Sequence, residues 1–283
     1  MNQAVSFPGL ADMIFINGME AESLPVTDRG LQYGDGLFET IAVRAGEPLL
    51  WTRHMRRLQE GCSRLQIPRP EMSVLEAEAT RVCAGVERGV LKILVTRGSG
   101  GRGYRPPQAC LPTRIVALHP WPEYPEDCAT RGVRVRICST RLGLNPALAG
   151  LKHLNRLEQV LARGEWDDPH IAEGLMLDGS GRIIEGTMSN VFVVQDGRVL
   201  TPDLSCCGVA GIMRGMILES CERLSIPCRI GELARRDLER ADEVFLTNSL
   251  IGVWPVTGVE NCGDYPVGPI TRRLAEAVSE TRD

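Results

Sequence analysis

Pro120-Trp-Pro-Glu-Tyr-Pro125 sets three prolines within six residues. Proline has no amide hydrogen and a fixed φ, so this stretch continues neither a helix nor the interior of a sheet. The chain therefore divides here, and each part must bury a core of its own. We place a linker at 120–130, a small N-terminal α/β domain at 1–119 with an extension at 1–12, and a larger C-terminal domain at 131–283. The 283 residues, 43% hydrophobic and 24% charged, are sufficient for two such domains.

Ahead of the linker, Met13 to Asn17 reads as a short strand closed by Asn17-Gly18, and Leu37 to Arg44 as another. Met55, Leu58, Cys62 and Leu65 step by three, four and three, which predicts an amphipathic helix over Trp51 to Leu65, stopped by Pro68 and Pro70. Its Arg53, Arg56 and Arg57 are either a solvated face or a means of reaching inward to a phosphate. A second helix spans roughly Ser73 to Glu87, and Gly89 to Thr96 is of strand type. Beyond the linker, Val133 to Ser139 is a strand. Segments Gly174–Asp178, Arg182–Glu185, Val191–Gln195 and Val199–Thr201, with Asp178-Gly179 and Asp196-Gly197, form a meander of hairpins. A helix opens after Gly208-Val-Ala-Gly211 and runs through Leu218 and Leu224, and Val244 to Ser249 is a last strand.

Formal charge of −4, with acids and bases interspersed, offers no basic patch for nucleic acid or a membrane surface. No apolar run approaches the length of a membrane span and Met1 to Asp12 lacks the form of a signal peptide, so a cytoplasmic protein is expected. Ten cysteines without a CxxC pair read as reduced thiols, and four scattered histidines supply no metal site.

Among 32 basic residues only Lys92 and Lys152 are lysines. An arginine stays protonated, whereas a lysine amine can act as nucleophile or base, so amine chemistry in this chain has two candidate side chains. Lys152 follows the turn signals Asn145-Pro146 and Gly150 and precedes Leu154, Leu157 and Leu161, whose spacing predicts a buried helix face. Lys92 lies mid-strand and either snorkels to solvent or faces a polar cavity. Arg97-Gly-Ser-Gly-Gly-Arg102-Gly-Tyr-Arg105 is either a flexible hairpin tip or a mobile arm that binds carboxylates.

Glu185-Gly-Thr-Met-Ser-Asn-Val-Phe192, Val199-Leu-Thr201 and Val209-Ala-Gly-Ile-Met-Arg214 together resemble the signature of class IV aminotransferases, which are fold-type IV pyridoxal-phosphate enzymes. Within that group Gly89-Val-Leu-Lys92, Arg97 to Tyr104 and Asn145 to Val160 are similar to the aminodeoxychorismate lyases. The resemblance implies a mixed α and β fold of two domains, the larger with a pseudo-barrel sheet, a homodimer, and pyridoxal 5'-phosphate (PLP) between the domains. It makes Lys152 the Schiff-base lysine and Glu185 the carboxylate facing the pyridine nitrogen. Arg57, the backbone amides of Ile212 and Met213, and the Ser249 hydroxyl become the phosphate ligands. The implied reaction is conversion of 4-amino-4-deoxychorismate to 4-aminobenzoate and pyruvate in folate biosynthesis, with Lys92, Arg97, Arg102 and Arg105 binding the substrate. A D-amino-acid or branched-chain aminotransferase is the alternative. Branched-chain enzymes carry tyrosine five residues after the lysine, where this chain has Leu157. The partner of the cofactor's phenolic oxygen is thereby left open, with Asn155 and Arg156 among the neighbouring polar residues.

Overall fold

A computed structural model of the chain describes residues 13–279; the extension at 1–12 lies outside them. The chain forms two compact units. The first holds residues up to Glu123 together with Lys152–Asn155, and the second holds Tyr124–Leu151 and the residues from Arg156 onward. The break falls inside the proline-rich segment. The reading of Lys152 as part of the C-terminal domain is corrected, since its segment is hydrogen-bonded into the first unit.

The first unit contains β1 (Met13–Ile16), β2 (Met19–Glu20), α1 (Arg29–Tyr33), β3 (Gly36–Arg44), β4 (Glu47–Pro48), α2 (Trp51–Leu65), α3 (Met72–Cys83), β5 (Arg88–Thr96) and β6 (Thr113–Pro120). The six strands pair antiparallel in the order β2-β1-β6-β5-β3-β4. Strand side chains alternate between faces. Leu37, Ile41 and Val43 of β3 and Leu91, Ile93 and Val95 of β5 are buried, as are Met55, Leu58 and Cys62 of α2, the stripe expected from their spacing. Helix α2 ends where Gln66 turns left-handed and donates its amide to the carbonyls of Cys62 and Ser63. Helix α3 stops at Cys83, short of the expected Glu87, because Gly85 takes a positive φ and turns the chain toward β5.

The second unit contains α4 (Cys128–Arg131), β7 (Val133–Leu142), α5 (Leu157–Arg163), β8 (Ile171–Asp178), β9 (Ile183–Gly186), β10 (Asn190–Gln195), β11 (Arg198–Pro202) and α6 (Ile212–Arg223). It continues with β12 (Cys228–Gly231), α7 (Arg235–Glu239), β13 (Glu243–Asn248), β14 (Gly252–Val259), β15 (Gly263–Asp264) and α8 (Pro269–Ser279). Its nine-stranded sheet runs β12-β11-β10-β13-β14-β7-β8-β9, with β15 beside β14, and is parallel at β11/β12, β14/β7 and β7/β8. The sheet curls until terminal strand β9 packs against β10 and β11. Val135, Leu175, Ile183, Val191, Val244 and Leu246 share the core. Mixed α and β structure with a curled sheet is the architecture expected.

Helix α5 departs from the reading of its leucines. Leu154 precedes the helix, and Leu157 and Leu161 are 75% and 64% exposed, leaving Ala162 as its buried residue. Leu154 is instead drawn to the first unit, where its amide donates to Gly36 O at 3.0 Å. Its Cδ1 also occupies the space a Cβ on Gly36 would need. A seven-residue helix offers too few turns for the predicted face. Among the described residues, no helix is long and apolar enough to cross a membrane, and all ten cysteines are free thiols.

Candidate active site

In the first unit, residues 152–154 run alongside the start of β3. Phe38 N donates to Lys152 O at 2.9 Å, and His153 bridges Leu37. Lys152 Nζ thereby sits 4.2 Å from the centroid of the Phe38 ring. Lys92 pairs with Thr40 across the β3/β5 ladder, on the face that carries Phe38 and Leu94, and its Nζ is 5.8 Å from the same centroid. The two lysines of the chain thus meet at one phenyl ring. Lys92 is half-buried.

The opposite face of β3 carries Glu39, buried among apolar side chains. Arg57 of α2 grips it with two donors, Nε to Oε1 at 2.8 Å and Nη2 to Oε2 at 2.5 Å, and His54 Nδ1 lies 2.6 Å from Oε2. Burial pushes the Glu39 carboxyl upward, but Arg57 and His54 outweigh it and hold the group at about 2. Arg57 points inward while Arg56 is exposed, so the solvated and inward roles fall to different residues of one helix. Sequence reasoning passed over Glu39 and His54. The available signal was a carboxylate in alternation with Leu37, Ile41 and Val43, an inward position that demands a cationic partner.

Arg97 requires a correction. It is 6% exposed, and its Nε and Nη2 donate to the two Asp35 oxygens at 2.8 and 3.0 Å. Its Nη1 and Nη2 also donate to the carbonyls of Gln66 and Leu65 at the end of α2. Burial raises the Asp35 carboxyl, yet Arg97 and Arg29 together hold it below the usual carboxylate range. With its fork committed to Asp35 and the helix end, Arg97 anchors the loop instead of meeting a substrate. Arg102 and Arg105 are exposed. Asn155 Nδ2 donates to Gly34 O at 3.1 Å, within the same unit.

In the second unit, Glu185 is the penultimate residue of β9 and is 4% exposed. Its Oε2 accepts from Val209 N at 2.8 Å and its Oε1 from Gln159 Nε2 at 3.5 Å. Arg156 is close enough that burial, which pushes its guanidinium down, is opposed by the Glu185 charge. Gly208 has φ +84°, and a Cβ there would come within 2.9 Å of both Ile184 and Leu204. Only glycine fits so close to Glu185.

Helix α6 follows directly. Gly211 is its extended N-cap and no side chain caps the first turn. The first intrahelical bond is Gly215 N to Gly211 O, so the amides of Ile212 and Met213 precede the helix's own ladder. Uncapped amides at the positive end of a twelve-residue helix suit a phosphate group. Ser249 lies in the turn after β13, where Asn248 Oδ1 accepts from Leu250 N and Ile251 N and its Nδ2 donates to Met188 O. Met188 belongs to a turn held by Glu173, a buried carboxylate also absent from the sequence reading. Glu173 accepts from Thr187 N, Thr187 Oγ1, Met188 N and Ser189 Oγ. A lysine at an aromatic face, a buried carboxylate, a carboxylate-held arginine and an uncapped helix start are the donor types a phosphorylated pyridine aldehyde requires. The residues present fit that cofactor.

Amino-transferase class IV, as a family, matches residues 36–259, and the chain belongs to it. Over 265 residues it is 40% identical to the aminodeoxychorismate lyase of Vibrio harveyi, a match covering 93% of this chain and 98% of that one. The crystal structure of 4-amino-4-deoxychorismate lyase from Pseudomonas aeruginosa superposes with a TM-score of 0.91 at 50% identity, covering 95% of this chain and 98% of the other. A T.th. branched-chain amino acid aminotransferase, solved with pyridoxamine 5'-phosphate, gives 0.83 at 25% identity over 95% and 93%.

Proposed function

We propose that this protein is a PLP-dependent lyase that converts 4-amino-4-deoxychorismate to 4-aminobenzoate and pyruvate, a step of folate biosynthesis. The observation that carries this reading is the 40% identity to a lyase along nearly the whole of both chains. The absence of tyrosine at Leu157 argues in the same direction, away from the branched-chain enzymes.

In this reading Lys152 holds the aldehyde carbon of PLP and Glu185 faces its ring nitrogen. Arg57, the amides of Ile212 and Met213, and the Ser249 hydroxyl take the phosphate. When bound, PLP supplies an electron sink next to the substrate amine. Glu39, itself held by His54, grips Arg57 through Nε and Nη2 and so fixes the orientation in which the guanidinium would meet the phosphate. Once the substrate amine has taken its place, the released Lys152 amine is the base for the proton at C4 of the substrate. The bond from C3 to the enolpyruvyl oxygen then breaks, the ring becomes aromatic, and the departing enolpyruvate gains a proton and leaves as pyruvate. No water is consumed. Arg102, Arg105 and Lys92 are cations for the two substrate carboxylates. We read the enzyme as a cytoplasmic homodimer, following its family resemblance, and light scattering should return twice the chain mass.

The deciding experiment incubates the holoenzyme with 4-amino-4-deoxychorismate beside pairs of D-alanine or L-leucine with 2-oxoglutarate. Equimolar 4-aminobenzoate and pyruvate, formed much faster than any amino transfer, is the expected outcome; rapid transfer without aromatic product would reassign the enzyme to the aminotransferases.

The α6 start gives a second test. A Cβ on Gly211 would lie 2.1 Å from Asn190 Oδ1, whose amide nitrogen donates to Val209 O. The backbone of Gly211 suits any residue, so Gly211→Ala strains only this packing. Shifting the helix start should weaken PLP binding about tenfold, the equivalent of one charge-assisted hydrogen bond. Titration of apoenzyme by absorbance measures this, and unchanged affinity would remove the Ile212 and Met213 amides from the phosphate site.

A further inference from the structure

The loop after β5 is stitched to the segment around α1 from Arg97 to Tyr104. Arg29 N donates to Gly98 O, Gly100 N to Thr27 O, and Arg97 N to Asp35 O. Farther out, the Arg29 side chain takes over. Its Nη1 donates to Gly103 O at 2.9 Å and its Nη2 to Tyr104 O at 3.0 Å, while Nε is held by Asp35 Oδ2 at 2.9 Å. Gly103 N donates to the Tyr33 hydroxyl at 3.2 Å, and the rings of Tyr33 and Tyr104 meet edge to face at 5.5 Å. Arg29 is 3% exposed, and its stem fills the space beside Gly100, where a Cβ would come within 2.8 Å of Arg29 Cδ. The segment read as either a flexible hairpin tip or a mobile arm is therefore a clamped turn.

Each nitrogen of the Arg29 guanidinium has a defined acceptor: one carboxylate oxygen and two successive carbonyls. A lysine cannot reproduce this fork, because a point ammonium lacks its planar spacing. Arg102 and Arg105 flank the two clamped residues and are themselves exposed. We propose that Arg29 is a positioning residue for recognition of the anionic substrate: by holding the Gly103 and Tyr104 carbonyls it sets the backbone from which Arg102 and Arg105 meet the carboxylates. The proposal rests on the assignment of those two arginines to the substrate.

The test uses holoenzyme variants Arg29→Met, Arg29→Lys, Tyr33→Phe and Arg102→Gln. Trypsin reports loop order at the Arg102–Gly103 bond, since Arg105 precedes Pro106 and resists cleavage. Both Arg29 variants should be cut about tenfold faster, with KM raised about tenfold, kcat within about twofold and the cofactor absorbance intact. Tyr33→Phe loses a single hydrogen bond and should move both readouts about threefold in the same direction, which keeps the proposal testable if the Arg29 variants do not fold. Faster cutting with unchanged KM, while Arg102→Gln raises KM, would overturn the positioning role alone. Unchanged KM in Arg102→Gln would instead remove the substrate assignment, and the proposal with it. Cutting at the wild-type rate in every Arg29 and Tyr33 variant would show that the clamp does not order the loop.

Discussion

Lys152→Ala should lower the rate of 4-aminobenzoate formation by at least ~10³-fold, the magnitude expected when one amine that serves as both covalent anchor and base is deleted. The fold should survive, because what ties this segment to β3 is main chain: Phe38 N to Lys152 O and Leu154 N to Gly36 O. Alanine preserves both. The check has three readouts. Product release should vanish, borohydride should no longer attach cofactor to the peptide containing residue 152, and the far-ultraviolet circular dichroism should match wild type. Lys92 gives the internal control. It lies at the same phenyl ring, so residual borohydride labelling in Lys152→Ala that maps to Lys92 would mean the second lysine can substitute. Near-normal turnover without such labelling would remove Lys152 from the chemistry.

The second large effect is on stability, at Glu39. Its carboxyl falls from an ordinary 4.5 to about 2 in the folded protein, a difference equivalent to about 3 kcal/mol. A depressed carboxylate contributes its stability above the unfolded value and loses it as pH falls toward the folded one. Glu39→Gln should therefore lower the melting temperature most at pH 6 to 7. The gap from wild type should close as pH drops from about 4.5 to about 2. Removing the carboxylate also leaves Arg57 and His54 beside a neutral amide in a buried place, which adds to the loss. Calorimetry of both proteins across this range decides the matter, and a gap independent of pH would show that the carboxylate's charge is not what stabilises α2 on β3. PLP affinity measured at pH 7 should fall in parallel, because Arg57 loses the partner that orients it.

Features set by short-range pattern were legible in the chain. The α2 stripe, the hairpins around Asp178-Gly179 and Asp196-Gly197, and the break near Pro120 depend on periodicity and turn chemistry, which neighbouring residues determine. The motif around Glu185 and Gly211 was readable through its resemblance to the class IV aminotransferases, the family that matches residues 36–259. What escaped were pairings across long separations. Arg97 looked like a substrate ligand because a cation in a glycine-rich loop advertises charge but not its partner. That partner, Asp35, lies 62 residues away in sequence, beyond the reach of any local pattern. Leu157 and Leu161 illustrate the converse failure: helical spacing identifies a face without saying whether anything covers it. Glu173 was missed because a carboxylate that accepts from main-chain amides and hydroxyls needs no charged counterpart to be recognised.

The path of the chain through the first unit has a consequence for the order in which the protein can be completed. Strand β3 emerges early in synthesis, yet the segment that borders its opening residues, Lys152–Asn155, arrives only after Tyr124–Leu151 has been made for the other unit. A gene fragment ending at Glu123 would encode the entire six-stranded sheet and none of the reactive amine assigned to Lys152. Cutting this protein at its obvious linker would thus yield two pieces, of which the first has the bed for the lysine and the second has the lysine without its bed.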